Sequence, residues 1–542
     1  MLPEPAYVFK HAVIQDVAYN SLLVQRRKEL HRAVGAAIEE LYADRLAEHD
    51  EELAHHFAQG EEWAKAFEYL VRSGDKARNA YANQLALDFY AGALDAAQKV
   101  TPALPPKRIM AIYQRRSEVW RLLSRYPEAI AESERMLELA RAAGDRRSEG
   151  EALLELALSH WFTFSWDHIP QTTQFAEDAL VVAREIRDQY LQAKGLSHLG
   201  LIDTVHGNLV AGDQRYEESL RIGEGGGFKD IVAQNLWGLG SDANWRGEFQ
   251  KAIVFCRRGA EVASEIHDGF AELIALAFQC LPHIGLGEYT EALAVIDEGL
   301  RKARDRNNTF ILGRLTNTLG WLHQELGDFR RSVELDRESA ALGERSKNSN
   351  VEISALINLG LDYLNLGEPQ RALSLLEETL VRMEKYAFGA HRWRWSIHLA
   401  AYLAETLLAT GEPEKALVQV EKGLAQARST GSMKYIAKFH ALRGEVALSA
   451  QQGSQAETNL GEALKMAQQI GYPTLTWRAA HLLAQAQAEQ GKLEDAFTTT
   501  RLAAETIEAV AGRIPDPALK ETFLLWPRVQ AVREDLERFG RA

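Results

Sequence analysis

The 542-residue chain has two cysteines, Cys256 and Cys280, too few for a disulfide framework or a four-cysteine zinc set, which fits a reducing compartment. It has no run of eighteen apolar residues, and Met1-Leu2-Pro3-Glu4-Pro5 lacks the basic and then apolar pattern of a secretion signal. The expectation is a cytoplasmic protein that does not partner a membrane. Positive charge is also short: 62 Lys and Arg stand against 76 Asp and Glu, for a net charge of −14. The acidic residues are spread along the chain, which argues against a phosphate backbone as partner and so against nucleic acid.

Motifs of catalysis are missing as well. No Gly-Lys-Ser or Gly-Lys-Thr loop is present to cradle a nucleotide's phosphates. The nearest stretch, Gly223-Glu224-Gly225-Gly226-Gly227-Phe228-Lys229, carries a carboxylate and lacks the hydroxyl residue, and reads as a flexible turn between repeats. Sixteen histidines include no His-Glu-x-x-His, and His55 and His56, being adjacent, point to different helix faces. Cys256 and Cys280 fall where other units have apolar or small residues and read as buried thiols. Glu51-Glu52 and Glu377-Glu378 read as solvated helix faces, with no apolar surroundings to raise a carboxyl pKa. No catalytic residue, cofactor or metal site is expected.

What the chain does have is a repeat. Gly247-Glu248-Phe249-Gln250-Lys251-Ala252 recurs as Gly287-Glu288-Tyr289-Thr290-Glu291-Ala292, then as Gly327-Asp328-Phe329, Gly367-Glu368-Pro369, Gly411-Glu412-Pro413 and Gly491-Lys492-Leu493. A small residue precedes each turn by seven positions, as at Gly200, Gly240, Cys280, Gly320, Gly360 and Gly444, and a second follows it by twelve, as at Gly212, Ala252, Ala292 and Ala372. Two antiparallel helices that cross closely need such residues at the contact, since glycine is otherwise costly inside a helix. Apolar residues between them keep helical spacing, as in Leu236, Leu239 and Ala243, and Pro369 and Pro413 stand where helices start. The unit around Trp161 to Pro170 has lost its glycine turn.

This pattern resembles the tetratricopeptide repeat in a 40-residue form. The resemblance implies an all-α, right-handed superhelical solenoid of helical hairpins. The opening segment, Tyr7-Val8-Phe9-Lys10-His11-Ala12-Val13-Ile14-Gln15-Asp16-Val17-Ala18-Tyr19 through Arg26-Arg27-Lys28-Glu29-Leu30-His31, is similar to the junction where bacterial STAND-type signal-transduction ATPases, often with a class III adenylate cyclase domain, pass from a winged-helix region into such repeats. The organisation expected is a junction at 1–48, irregular first hairpins at 49–115, ten repeats at 116–510 and a capping segment at 511–542. In that family the catalytic modules lie upstream, so the chain reads as the C-terminal portion of such a protein, and Met1 as an internal start. The resemblance makes His11 a contact to bound nucleotide in the full-length parent, against the plainer role of fixing a helix start.

Solenoids of this kind bind partners on their concave side, lined by the first helix of each hairpin. Counting from the small sites puts Trp237, Ser241 and Asn244 there, with Trp161, Trp245, Asn317 and Trp321 extending an aromatic and amide stripe suited to peptide capture. Filling gaps between hairpins is the competing role for the tryptophans. His391-Arg392-Trp393-Arg394-Trp395 looks like a basic and aromatic cluster for stacking nucleotides, but it coincides with a four-residue insertion and reads as a linker or helix start. The leading expectation is a regulatory solenoid that binds a protein, a peptide or a small effector. The alternatives are a free-standing scaffold and a transcription regulator of the MalT/LuxR-like kind, which would need a DNA-reading helix pair that the tail after residue 510 does not offer.

Overall fold

The computed structural model describes residues 12–123, 125–162, 169–346, 348–385 and 392–541; among them are 27 α-helices, a 3-10 turn at Leu46–Glu48 and no strand. His11 lies outside the described residues. The chain divides into two compact units, Met1–Phe162 and Thr163–Ala542. The first holds α1 (Ala12–Ser21), α2 (Val24–Leu41), α3 (Asp50–Gln59), α4 (Trp63–Asn79), α5 (Asn83–Ala97), α6 (Pro106–Leu122), α7 (Tyr126–Ala143) and α8 (Arg146–Phe162). Its core runs through Phe57, Phe67, Tyr90 and Ile112.

The second unit begins with α9 (Ile169–Glu185), α10 (Gln189–His206), α11 (Leu209–Gly226), α12 (Lys229–Arg246), α13 (Phe249–Glu265) and α14 (Gly269–Gly285). It continues with α15 (Tyr289–Asp305), α16 (Thr309–Glu325), α17 (Phe329–Arg345), α18 (Ser349–Asn365), α19 (Pro369–Lys385) and α20 (Arg392–Ala409). It ends with α21 (Pro413–Ser429), α22 (Met433–Ser449), α23 (Gly453–Ile470), α24 (Pro473–Glu489), α25 (Leu493–Ala511), α26 (Pro517–Leu525) and α27 (Pro527–Gly540). From α10 to α24 the even-numbered helices are the first, inner members of the hairpins.

Local chemistry sets the ends of these helices. Asp188, Asp268, Asn308 and Asn348 cap α10, α14, α16 and α18, each side chain accepting a first-turn backbone N–H. Gly207 and Gly247 end α10 and α12 at φ 85° and 78°, left-handed backbone that glycine adopts without strain. The paired small sites meet at the crossings. A Cβ on Gly200 would lie 2.9 Å from the Tyr216 ring and 3.2 Å from the Gly212 carbonyl, and one on Gly212 would lie 3.0 Å from the Thr204 hydroxyl.

The glycine cluster at 223–227 corrects the expectation of a flexible linker. Gly223 is buried inside α11 where a Cβ would meet Val232, and only Gly227, at φ 70°, leaves the helix. The physical reason is that Gly223 faces the neighbouring α12 at the crossing, while Gly225 meets no neighbour and simply continues the helix.

The superhelix of the second unit returns on itself. The Trp393 indole N–H donates to the Thr204 carbonyl at 3.0 Å across 189 residues of sequence, and Arg513 donates to the Leu286 carbonyl at 3.0 Å across 227. Trp526 packs against Gly327 and meets Phe329 edge-on at 5.4 Å, while Phe523, Val529 and Val532 fill the core beneath it. Contacts between distant hairpins thus bring the inner helices together around a partly open space.

Candidate functional site

Six inner helices of the second unit, with Leu281 the contribution of α14, wall a chamber of about 110 Å³. A single water needs only about 10–15 Å³ measured in this way, so there is room for several ligand atoms. From α16 come Arg314, Asn317, Trp321 and Glu325, spaced at about one helical turn so that they share a face. From α20 come Arg394, Trp395, His398 and Tyr402, and from α22 Lys434, Tyr435 and Lys438. Asn244 and Trp245 of α12, the Asn350, Ser354 and Asn358 face of α18, and Tyr472 complete the wall.

Four cations, Arg314, Arg394, Lys434 and Lys438, face one carboxylate, Glu325, in this wall. Lys438 pairs with Glu405 at 2.9 Å outside it. Neither Arg314, Arg394 nor Lys434 has a carboxylate within ion-pair distance among the described residues. Arg394 is only 2% exposed, and its Nε has no hydrogen-bond partner. Its guanidinium lies 4.0 Å from the Trp395 ring centre and 5.2 Å from that of Trp245. Burial and then the charge of Arg314 push its pKa well down. Burial brings Arg314 itself down to about 10.

Lys434 sits 4.0 Å over the Trp321 ring and 5.0 Å over that of Tyr472. Burial lowers its ammonium to about 8, with Lys438 adding to the effect and Glu325 opposing it. Burial, then Lys438, Lys434 and Arg394, keep His398 a neutral imidazole. Glu325 accepts from the Tyr472 hydroxyl at 2.7 Å and the Trp321 indole at 2.9 Å, which leaves its second oxygen without a partner. Trp395 Nε1 and Asn358 Oδ1, also in the wall, are buried and unpartnered.

Of the groove residues expected from sequence, Asn244, Trp245, Asn317 and Trp321 come together in this chamber. Asn317 spends its amide on the fold, donating to Asp336 at 2.7 Å and accepting from Ser354 at 2.5 Å. Asn244 has no side-chain partner among the described residues. Trp237 lies outside the wall and stacks parallel on Phe278 at 6.0 Å, and Ser241 is buried outside it too. Trp161 is half-buried in α8, which belongs to the first unit. Sequence reasoning left Arg394 and Trp395 in a linker or helix start. They form the first turn of α20, and Trp393 beside them meets Trp245 edge-on at 5.4 Å. Arg314 and Glu325 lie on the same face as Asn317 and Trp321, so extending that count by one turn each way finds them. Lys434 and Tyr435 stand across the chamber on a distant hairpin, with no sequence signal to join them.

Elsewhere the side chains serve structure. Cys256 and Cys280 are fully buried, and burial pushes both thiols up, Cys280 to about 12. Glu51, Glu52, Glu377 and Glu378 are exposed. In the first unit His31 Nδ1 lies 2.9 Å from His56 Nδ1, and the His55 ring packs on His31 at 5.6 Å. Burial and the neighbouring imidazoles lower the pKa of His31 and His56. Among the described residues no group of three His, Cys, Asp or Glu is arranged to hold a metal ion, and no helix is long and apolar enough to cross a membrane.

Residues 353–386 and 397–422 match the tetratricopeptide repeat. Tetratricopeptide repeat protein 29 of Homo sapiens is 22% identical over 199 residues, which is 34% of this chain and 42% of the human protein. The match thus spans about two fifths of that relative's length. Among solved structures, the Cut9–Hcn1 hetero-tetramer of the APC/C aligns with a TM-score of 0.45 at 13% identity, over 96% of this chain and 98% of that one. A STAND protein with a tetratricopeptide repeat sensor from Pyrococcus horikoshii aligns with a TM-score of 0.44 at 13% identity, over 79% of this chain and 66% of that one.

Proposed function

We propose that the chain is a signal-sensing solenoid that admits an effector to the chamber of its second unit and passes occupancy on to a partner protein. The observation that carries this reading is the chamber itself. Its wall is rich in polar and charged side chains, and Arg394 Nε, Trp395 Nε1, Glu325 Oε2 and Asn358 Oδ1 are buried in it without partners. Each such group costs about 1–3 kcal/mol in desolvation, a cost that a ligand offsets.

Occupancy transmits a signal only if the ligand binds one arrangement of the stacked hairpins more tightly than another. The contacts between Trp393 and Thr204, and between Tyr472 and Glu325, are where such arrangements differ, because they join the two sides of the chamber.

The finer form of the proposal is that the chain is the regulatory C-terminal portion of a multidomain ATPase or adenylate cyclase signalling protein, supported by the junction-like segment Tyr7–His31. In that form residues 1–48 couple to the catalytic modules, 49–510 are the sensor and 511–542 cap it.

Native mass spectrometry of the purified chain tests the sensing reading. The expected result is a bound small molecule, lost from the Trp321→Ala variant at unchanged helicity. An empty wild-type chain whose hydrogen exchange ignores an added metabolite extract would reject it. The finer form is tested on the gene: an in-frame P-loop and cyclase upstream of Met1 supports it, and a stop codon immediately upstream returns the reading to a free-standing scaffold.

A further inference from the structure

We infer that the chamber takes a small oxyanion, a carboxylate- or phosphate-bearing molecule whose charged group is held between Arg314, Arg394 and Lys434. The inference rests on the sensing reading and names its ligand class.

The chamber wall has an excess of positive charge. Arg394 Nε and Trp395 Nε1 are buried donors without acceptors, and the guanidiniums of Arg314 and Arg394 repel each other without a carboxylate between them. Glu325 offsets part of this charge at Lys434, but one of its oxygens is committed to Tyr472 and Trp321, and neither arginine reaches it within ion-pair distance. Like charges brought together out of water are unfavourable unless a counter-charge joins them. The whole chain carries −14, so the local excess of cations runs against its composition and is not a by-product of it. Planar arginine forks suit the paired oxygens of a carboxylate or phosphate. The aromatic faces of Trp321 and Trp395 hold Lys434 and Arg394 in place.

Contacts across the chamber argue for a small ligand over a peptide. Tyr435 stacks on Trp245 at 6.1 Å and Tyr472 ties to Glu325, and an extended chain lying along the chamber would compete with both.

The test uses the full chain with inorganic phosphate and citrate as probes, titrated at constant ionic strength against sodium chloride. Thermal midpoint and intrinsic tryptophan fluorescence are the readouts, since Trp245, Trp321 and Trp395 line the site. Phosphate or citrate is expected to raise the midpoint and change the fluorescence beyond the chloride control, and whichever acts more strongly identifies the head group. Arg394→Met is expected to weaken that response by at least about tenfold. Its ligand-free midpoint should equal or exceed that of the wild type, because it removes an unpaired buried charge. Lys434→Met provides a second variant, with the same loss of response. The inference is overturned if neither probe acts beyond chloride, if both variants respond like the wild type, or if only an acidic peptide binds. A chamber that ignores both anions yet carries a neutral molecule in native mass spectrometry overturns this inference alone and leaves the sensing reading standing.

Discussion

Asp336 and Asp362 are both fully buried on neighbouring helices, where they share the Ser332 hydroxyl. Asn317 donates to the first and Gln324 to the second, each at 2.7 Å, and Asp328 adds a further negative charge nearby. Burial pushes Asp362 up to about 7 and Asp336 well above the ordinary carboxylate range, the charge of Asp362 adding to the latter. The folded chain therefore keeps a proton that the unfolded chain sheds near about pH 4. Its contribution to stability is complete in acid and is lost as pH rises through about 7. Asp362→Asn, which keeps an acceptor for Gln324 and a donor toward Asp336, should flatten the fall in thermal midpoint between about pH 5 and about pH 8 and should match or exceed the wild type at the upper end. A variant that keeps the wild-type slope would show that the pair does not hold the proton. Neither carboxylate was legible as unusual in the sequence, because each looks like one more acidic residue on a helix. The same holds for Arg314 and Arg394, whose character comes from what the fold withholds from them. Asn317 and Trp321 could be placed from sequence because their position follows from counting along one helix, a local property.

Hairpin crossings were legible at the scale of the element, since steric exclusion leaves a mark in every unit. Where no neighbour approaches, the same residue type means something else, and sequence does not separate the two cases. Gly200 and Gly461 are both helical glycines, but a Cβ on Gly200 would press on the buried Tyr216 ring while one on Gly461 would meet nothing within 4 Å. Replacing a helical glycine by alanine gains about 0.8–1 kcal/mol from backbone propensity. Overpacking a filled crossing costs about 1–3 kcal/mol. Gly461→Ala should therefore raise the denaturation midpoint, and Gly200→Ala should lower it through a net loss of about 1 kcal/mol. Chemical denaturation of the two variants checks the opposite signs; equal signs would mean that the crossing yields easily. The division of the chain after Phe162 falls inside the stretch 116–510 that the sequence reads as one run of ten repeats, beside the unit that lacks its glycine turn.

In the whole molecule, a repeat array is ordinarily quasi-one-dimensional, each hairpin touching only its neighbours. The second unit departs from that rule. Trp393 reaches from α20 to the Thr204 carbonyl at the end of α10, and its ring lies so close to Gly207 that a Cβ there would stand 3.2 Å from it. Periodicity in the sequence fixes the hairpin but not the small rotation between successive hairpins, and it is the accumulated rotation that decides which distant units meet. The chamber was accordingly the least legible feature, although two of the five wall residues on α16, Asn317 and Trp321, follow from counting along the helix. If the long-range contact couples the two sides, Trp393→Ala should loosen both together. Truncating a buried tryptophan costs about 3–5 kcal/mol. Hydrogen exchange followed by mass spectrometry should show faster exchange in the segment around Thr204–Asn208 as well as in the first turns of α20 and α22, with total helicity unchanged. Loss of protection confined to α20 would mean that the two sides merely touch, and that occupancy of the chamber has no route from one to the other through this contact.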